Sequence, residues 1–459
     1  MIEKSVIEKL VNSLQGGVIQ PGDSNYDESR KIWNAMIDKK PAFIVQVANE
    51  DDVSAAIKFA RDNKLDITVR GAGHNIAGNS ICDDGLMIDL SLMKNVQVNT
   101  EKKTAIVQAG ATLKDFDAET QKHGLATPVG INSTTGIAGL TLGGGFGWLT
   151  RKYGFTVDNL LSAKLVTVDG KKLKISEKEN NDLFWAIRGG GGNFGVITEF
   201  EFKLHSVGPE ILAGLLVFLF KQANSILKKY RDFIVTTSPE FTAWAVMRKA
   251  PPLPFLPEDI HGKEVLVIAV FVPADFNNGE KLIEKIRGFG DPVGEHIDKM
   301  PYVNWQQAFD PLLVPSARNY WKSHNLKELR NEALDLMTEY LGKLPSPQFE
   351  ILIVHLEGKT NSVPADAMAY SNRDLKFIMN VHGRWDDAKQ DKECIDWARE
   401  LFNATSKYAS TGAYVNFMTD DEQERVAKAY GTNYSKLVEI KKKYDPNNLL
   451  RHNQNIKPN

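Results

Sequence analysis

Two rhythms of apolar and polar residues run along the chain. Residues 42–47 read as a strand. From Asn49 the period lengthens, and Val53, Ala56, Ile57 and Ala60 fall on one face of a helix that Asn49 caps, with Asp52 at the third helical position. Residues 65–70 form a second predicted strand, which runs directly into Gly71-Ala72-Gly73-His74-Asn75. Further strands are predicted at 86–90 and 104–109, then a helix from about Thr112 to His123. The apolar stretch 211–220 is too short to span a bilayer and reads as a core element. Beyond about residue 207, strand-like runs such as 265–270 and 349–354 alternate with charged helices, which points to a second α+β domain of roughly 200 residues.

The first part of the chain is punctuated by glycine. After 71–73 comes a segment holding Gly130, Gly136, Gly139, Gly143, Gly144, Gly145 and Gly147, then Gly189-Gly190-Gly191-Gly192-Asn193-Phe194-Gly195 before the strand-like 196–202. That density would destabilise a helix or strand interior, so the backbone needs special dihedrals or close approach to a ligand. Successive N–H groups in such turns bind phosphates, and three clusters in one domain favour a dinucleotide. Residues 190–195 formally match GxGxxG, but a helix-like segment precedes them and a strand follows, the reverse of a Rossmann unit. GxxxxGK[ST], HExxH and GxSxG are absent, which removes the P-loop, zincin and α/β-hydrolase readings. His74 follows a strand in a glycine-rich loop, where an imidazole either reaches a bound cofactor or only hydrogen-bonds loop backbone.

Composition narrows the class further. A chain of 459 residues implies two or three domains, and a net charge of −2 gives no general attraction to nucleic acid or anionic membrane. The two cysteines, Cys82 and Cys394, exclude a disulfide framework and a cysteine-rich metal site, and no metal is expected. With no signal-peptide core at the N-terminus, the expected location is the cytoplasm.

Four ordered motifs carry a resemblance over nearly the whole chain from about Pro41. They are Arg70-Gly71-Ala72-Gly73-His74-Asn75; the 136–147 glycine run with Arg151-Lys152-Tyr153-Gly154; Asn193-Phe194-Gly195-Val196-Ile197-Thr198; and a C-terminal set that includes Tyr414-Val415-Asn416-Phe417 and Asp445-Pro446-Asn447-Asn448. The chain resembles the berberine-bridge-enzyme-like FAD-linked oxidases. The resemblance implies an α+β fold of the vanillyl-alcohol-oxidase type: a PCMH-type FAD-binding domain of two α/β subdomains (1–207), a substrate domain with a central antiparallel sheet and helices (208–411), and a C-terminal segment (412–459) that completes the FAD domain.

It also implies covalent FAD through His74, a neutral imidazole nitrogen attacking an electrophilic tautomer of the flavin. Many members add a second bond from a cysteine four positions before the glycine matching Gly136. That position is Asn132 here, so attachment through His74 alone is expected. The resemblance further implies that the flavin would accept hydride from the substrate while a base takes a proton, with dioxygen expected as the final oxidant and hydrogen peroxide as its product. A carrier such as a quinone could replace dioxygen, depending on packing near Thr135, and a flavin-binding protein without turnover is the reading from another class.

Tyr414 is the expected base, with Asn416 beside it if the segment is extended. Arg70, Gly71, Ala72, Gly73, Asn75, Ser133, Thr134, Gly136, Gly139 and Gly144 are expected along the FAD, and Val196 and Ile197 at its adenine end. The candidate substrate pocket is Tyr320, His355, Glu357, Asn380 and His382, with Trp321 and Trp244 as possible aromatic walls. The substrate expected is a small alcohol, sugar or cyclic amine.

Overall fold

The computed structural model describes residues 2–410 and 412–458. Strands β1 (Gly17–Ile19), β2 (Phe43–Gln46), β3 (Ile67–Arg70) and β4 (Leu86–Asp89) form a sheet in the order β1-β2-β4-β3, with β2 and β3 parallel to β4. The helix Glu50–Asp62 covers it. The Asn49 side chain accepts the N–H groups of Asp51 and Asp52, and Val53, Ala56, Ile57 and Ala60 are fully buried, as the spacing requires. Seven strands follow: β5 (Val96–Asn99), β6 (Thr104–Gln108), β7 (Leu125–Ala126), β8 (Leu160–Val166), β9 (Lys172–Ser176), β10 (Val196–Lys203) and β11 (His205–Ser206). Five of them make an antiparallel sheet, β5-β6-β10-β8-β9, while β7 pairs with β11. The helix predicted from Thr112 spans Leu113–Gln121 and starts from a reciprocal capping box between Thr112 and Asp115.

The composition shift near 207 falls where the seven-stranded sheet begins. Strands β12 (Glu210–Leu219), β13 (Thr242–Lys249), β14 (Glu264–Val272), β15 (Pro292–Pro301), β16 (Arg318–Leu326), β17 (Glu350–His355) and β18 (Phe377–Trp385) pair in the order β15-β12-β14-β13-β17-β18-β16, all antiparallel. Helices Phe220–Ile234, Asn331–Leu341 and Asp391–Thr405 pack on one face of this sheet. Its other face turns toward the glycine-rich loops.

Two sequence motifs act as fasteners between these parts. Arg151 donates to the carbonyls of Glu357 at 2.9 Å and Thr237 at 3.0 Å, joining the second glycine run to the seven-stranded sheet. Asn193 donates to the Gln454 carbonyl at 3.1 Å and accepts the Ile456 N–H at 3.0 Å. Lys441, fully buried, bonds Asp445 at 2.7 Å and the Asn193 carbonyl at 2.8 Å. A buried ion pair survives only with such complete satisfaction. The C-terminal segment is thereby stitched to the third glycine cluster. Among the described residues, no helix is long and apolar enough to cross a membrane.

Candidate functional site

One cavity lies between the glycine loops and the open face of the seven-stranded sheet. Gly71, Gly73, Gly136, Gly139, Gly191, Gly192 and Gly195, from all three clusters, line it together with Ala72, His74, Asn75, Val196 and Ile197. None of the N–H groups from Gly71 to Ala77 has an acceptor among the described residues. Buried amides need partners, so this run of free donors fits a ligand bearing phosphates. A methyl at Gly139 or Gly192 would meet no protein atom within 4 Å, so the backbone there faces open space. The fit to a dinucleotide rests on these two observations.

His74 stands on the cavity wall, stacked on Trp33 with centroids 5.1 Å apart and planes at 21°. Its Nε2 lies 2.9 Å from Thr134 Oγ1. Burial, and then the charge of Arg384, hold the ring at about 3, so it is neutral near pH 7.

The opposite wall is built from cross-strand rows. Arg248 on β13 pairs with Glu350 on β17, Glu350 with His382 on β18, and His382 with Trp321 on β16. Directly opposed residues share a face, so four strands present one row of side chains to the cavity. The next row is Val246, Leu352 and Asn380, extended by Val267 and Val217. Arg248 and Glu350 form an ion pair, and His382 Nδ1 lies 3.7 Å from Glu350 Oε2. Burial raises the Glu350 carboxyl, but Arg248 and His382 outweigh it and hold the group at about 2. Burial keeps His382 below its ordinary value, opposed by Glu350. Four buried atoms in this wall, His382 Nε2, Asn380 Oδ1, Trp321 Nε1 and Trp244 Nε1, have no hydrogen-bond partner among the described residues. Buried polar atoms left this way await a ligand or water.

Tyr414 and Asn416 both line the cavity, although residues 415–417 form a 3-10 turn and not the extended segment expected. The Tyr414 hydroxyl oxygen accepts from Gly145 N–H and Asn416 Nδ2, each at 3.2 Å. Burial raises the phenol and these two donors pull it part of the way back, to about 12. With no cation among those partners, the phenol is protonated near pH 7. Its oxygen accepts both of these bonds, and its own proton has no acceptor among the described residues.

Several expected residues lie elsewhere. Tyr320 alternates onto the helix-covered face, where its hydroxyl bonds Asp421 at 2.6 Å. His355 has the wrong parity on β17: Glu350, Leu352 and Val354 face the cavity, while the His355 ring lies tilted against Phe377 at 4.8 Å. Glu357 lies beyond the strand and pairs with Lys376 at 2.8 Å. Arg70 turns away to Asp89 at 2.7 Å. Ser133 is engaged by Asp310, which accepts its N–H at 2.9 Å, so it offers no free donor. Thr134 is turned to His74 and Asn132. Gly144 sits behind the wall at φ +117°, where a methyl would approach Tyr370 to 2.8 Å. Asn380 and His382 are brought to the cavity, as are Trp244 and Trp321. Arg248 and Glu350 are not among the residues expected from sequence, although Glu350, Leu352 and Val354 are alternating positions on the predicted strand 349–354; the strand that carries Arg248, β13, is not among those predicted.

A PCMH-type fold whose three glycine loops face one cavity defines a class, the FAD-dependent oxidoreductases, and comparison with known proteins gives the family. The FAD-binding-domain family model matches residues 41–176, and the berberine and berberine-like model matches 413–457. The chain is 34% identical to an FAD-linked oxidoreductase of Dictyostelium discoideum over 99% of its own length and 97% of the relative. It is 30% identical to (R)-6-hydroxynicotine oxidase of Paenarthrobacter nicotinovorans, covering 97% of each chain. The crystal structure of 6-hydroxy-D-nicotine oxidase from Arthrobacter nicotinovorans superposes with a TM-score of 0.85 at 28% identity, covering 97% of this chain and 99% of that one. Berberine bridge enzyme from Eschscholzia californica shares the fold at a TM-score of 0.87 and 22% identity, over 99% of both chains. The chain therefore belongs to the berberine-bridge-enzyme-like FAD-linked oxidoreductases.

Proposed function

We propose that this enzyme oxidises a largely apolar small molecule bearing one alcohol or amine group, with FAD bound covalently through His74 alone and dioxygen as terminal oxidant. The observation that carries the reading is a single cavity bounded on one side by free amides and neutral His74, and on the other by the Arg248–Glu350–His382 row. Bound FAD supplies hydride acceptance, and the protein supplies orientation and proton handling.

His382 fits the base. Its ring is neutral, its Nε2 has no partner, and the charged Glu350 carboxylate behind Nδ1 favours the protonated ring once a proton arrives. Asn380 Oδ1 accepts from the substrate O–H or N–H, holding it near His382. Tyr414 donates from the FAD side. The rest of the sheet wall, with Val217, Val246, Val267 and Leu352 beside Trp244, offers apolar contact. A sugar would leave most of its hydroxyls without partners against that surface, a loss that favours an aromatic or aliphatic substrate.

The test begins with acid precipitation and peptide mass analysis of the purified protein. Yellow colour in the pellet, with FAD mass on the His74 peptide and none on the His74→Ala protein, is expected. A colourless protein overturns the reading, and FAD released to the supernatant removes the covalent bond from it. Anaerobic bleaching by apolar alcohols and amines, with peroxide release on admitting air, is expected. Bleaching by sugars alone overturns the substrate class, and bleaching without peroxide replaces dioxygen by a carrier.

A further inference from the structure

The two ring nitrogens of His74 are not equivalent. Nε2 lies 2.9 Å from Thr134 Oγ1, and this is the one hydrogen bond of the ring among the described residues. Thr134 Oγ1 in turn lies 2.7 Å from Asn132 Oδ1, and the same oxygen takes the Thr134 backbone N–H at 3.1 Å. That backbone contact decides the geometry. An N–H needs an acceptor, so the Asn132 atom facing Thr134 is the carbonyl oxygen and not the amide nitrogen. A carbonyl oxygen cannot donate. The single hydroxyl proton of Thr134 therefore goes to Asn132, and only a lone pair is left for His74. Nε2 must then carry the proton of the neutral ring, and Nδ1 holds the lone pair.

We propose that Asn132 and Thr134 are positioning residues that fix the His74 tautomer and so make Nδ1 the nitrogen that bonds FAD. The inference rests on the covalent attachment proposed above. Nδ1 lends its lone pair to the flavin 8α carbon. One C–N bond forms and one 8α C–H proton leaves to solvent. The Nε2 proton, hydrogen-bonded to Thr134, is released as the alkylated ring returns to neutrality. Two electrons stay in the flavin ring until a two-electron acceptor such as dioxygen removes them. Trp33, stacked on the imidazole, holds the plane of the ring while this happens. The opposite tautomer would present an N–H at Nδ1 and no nucleophile there.

The test uses the full-length protein loaded with FAD. Wild-type protein is digested, and the histidyl-flavin peptide is assigned by NMR as the Nδ1- or Nε2-linked isomer; Nδ1 is expected. Rates of covalent incorporation are then followed in protein produced without riboflavin and supplied with FAD. Thr134→Val and Asn132→Ala are expected to slow attachment roughly ten-fold, the effect of one hydrogen bond. Thr134→Ser and Asn132→Asp, which keep the hydroxyl and the acceptor, are expected to attach FAD at the wild-type rate. Protein loaded with FAD lacking its 8-methyl group cannot form the bond, and its His74 nitrogen resonances report the tautomer directly: Nε2–H in wild type, moving toward Nδ1–H in Asn132→Ala. Wild-type protein without covalent FAD sinks the attachment on which the inference rests. An Nε2-linked flavin, or unchanged rate and tautomer in Thr134→Val and Asn132→Ala, overturns the positioning role alone.

Discussion

The two walls of the cavity are made by opposite means. On the loop side the working groups are backbone amides, exposed because glycine keeps side chains away, and the N–H run from Gly71 to Ala77 has no protein acceptor among the described residues. On the sheet side the working groups are side chains gathered from four strands that are far apart in sequence, Arg248, Glu350, His382 and Trp321. A backbone wall of this kind suits phosphates, whatever side chains surround it, while a side-chain wall can be rewritten residue by residue without disturbing the sheet. The division predicts that changes in the sheet wall alter turnover and spare FAD, whereas changes in the loop wall do the reverse.

The largest effect tests the sheet wall. His382→Ala is expected to lower the rate of anaerobic flavin reduction roughly 100- to 10,000-fold, the range for loss of a general base. The FAD content should match wild type. Loss of flavin together with rate would merge the two walls into one structural unit and break the comparison; an unchanged reduction rate would remove His382 as base.

A smaller effect separates the glycines from one another. A methyl at Gly136 would stand 2.8 Å from the Ala72 nitrogen, so Gly136→Ala strains the loop itself, and overpacking of this kind costs about 1–3 kcal/mol. At Gly139 the same methyl meets no protein atom within 4 Å. Gly139→Ala should therefore leave the urea stability of the FAD-free protein unchanged, and in the His74→Ala background, where no covalent bond holds the cofactor, it should weaken FAD retention through contact with it. Full retention in gel filtration would mean that FAD does not lie against this turn. Tyr414→Phe sits lower still. It leaves the Gly145 and Asn416 donors without their acceptor and is expected to slow reduction by roughly ten-fold or less. A loss as large as that of His382→Ala would restore Tyr414 as the base.

The same division governs how much could be read from the sequence. The loop wall is local: Gly71, Gly73, His74, Gly136 and Gly139 sit in short runs whose composition already demands unusual backbone, and the structure puts all five on the cavity. The Asn49 and Thr112 caps are equally local and start their helices where expected. The sheet wall depends on parity and register. Strand β17 was visible as an apolar run, but which of its faces meets the loops depends on pairing with β13 and β18, and a one-residue difference moves every side chain to the other face. Parity alone separates Glu350 from His355 on β17 and Trp321 from Tyr320 on β16, and both members of the second pair are candidates by sequence. Ser133 failed for another reason: nothing near it in sequence announces Asp310, which lies 177 residues away.

The last effect concerns Glu350 and pH. Its folded carboxyl is held at about 2, below an ordinary value of 4.5. The unfolded chain thus binds a proton here that the folded chain refuses, and linkage makes stability fall as pH drops through that interval. The contribution is fully present above about pH 4.5 and is lost as pH approaches about 2. Other carboxylates add to the same acid transition, so the measurement is a difference: melting temperature against pH for wild type and Glu350→Gln. The variant cannot lose a proton, and it leaves Arg248 facing a neutral partner, so it should be less stable than wild type at neutral pH. The gap should narrow steadily below pH 4.5. A gap that instead widened as pH fell from 7 toward 4.5 would mean that Glu350 is already protonated in the folded state at neutral pH. His382 would then lack the carboxylate that suits it to take a proton, and the catalytic reading of the sheet wall would fall with it.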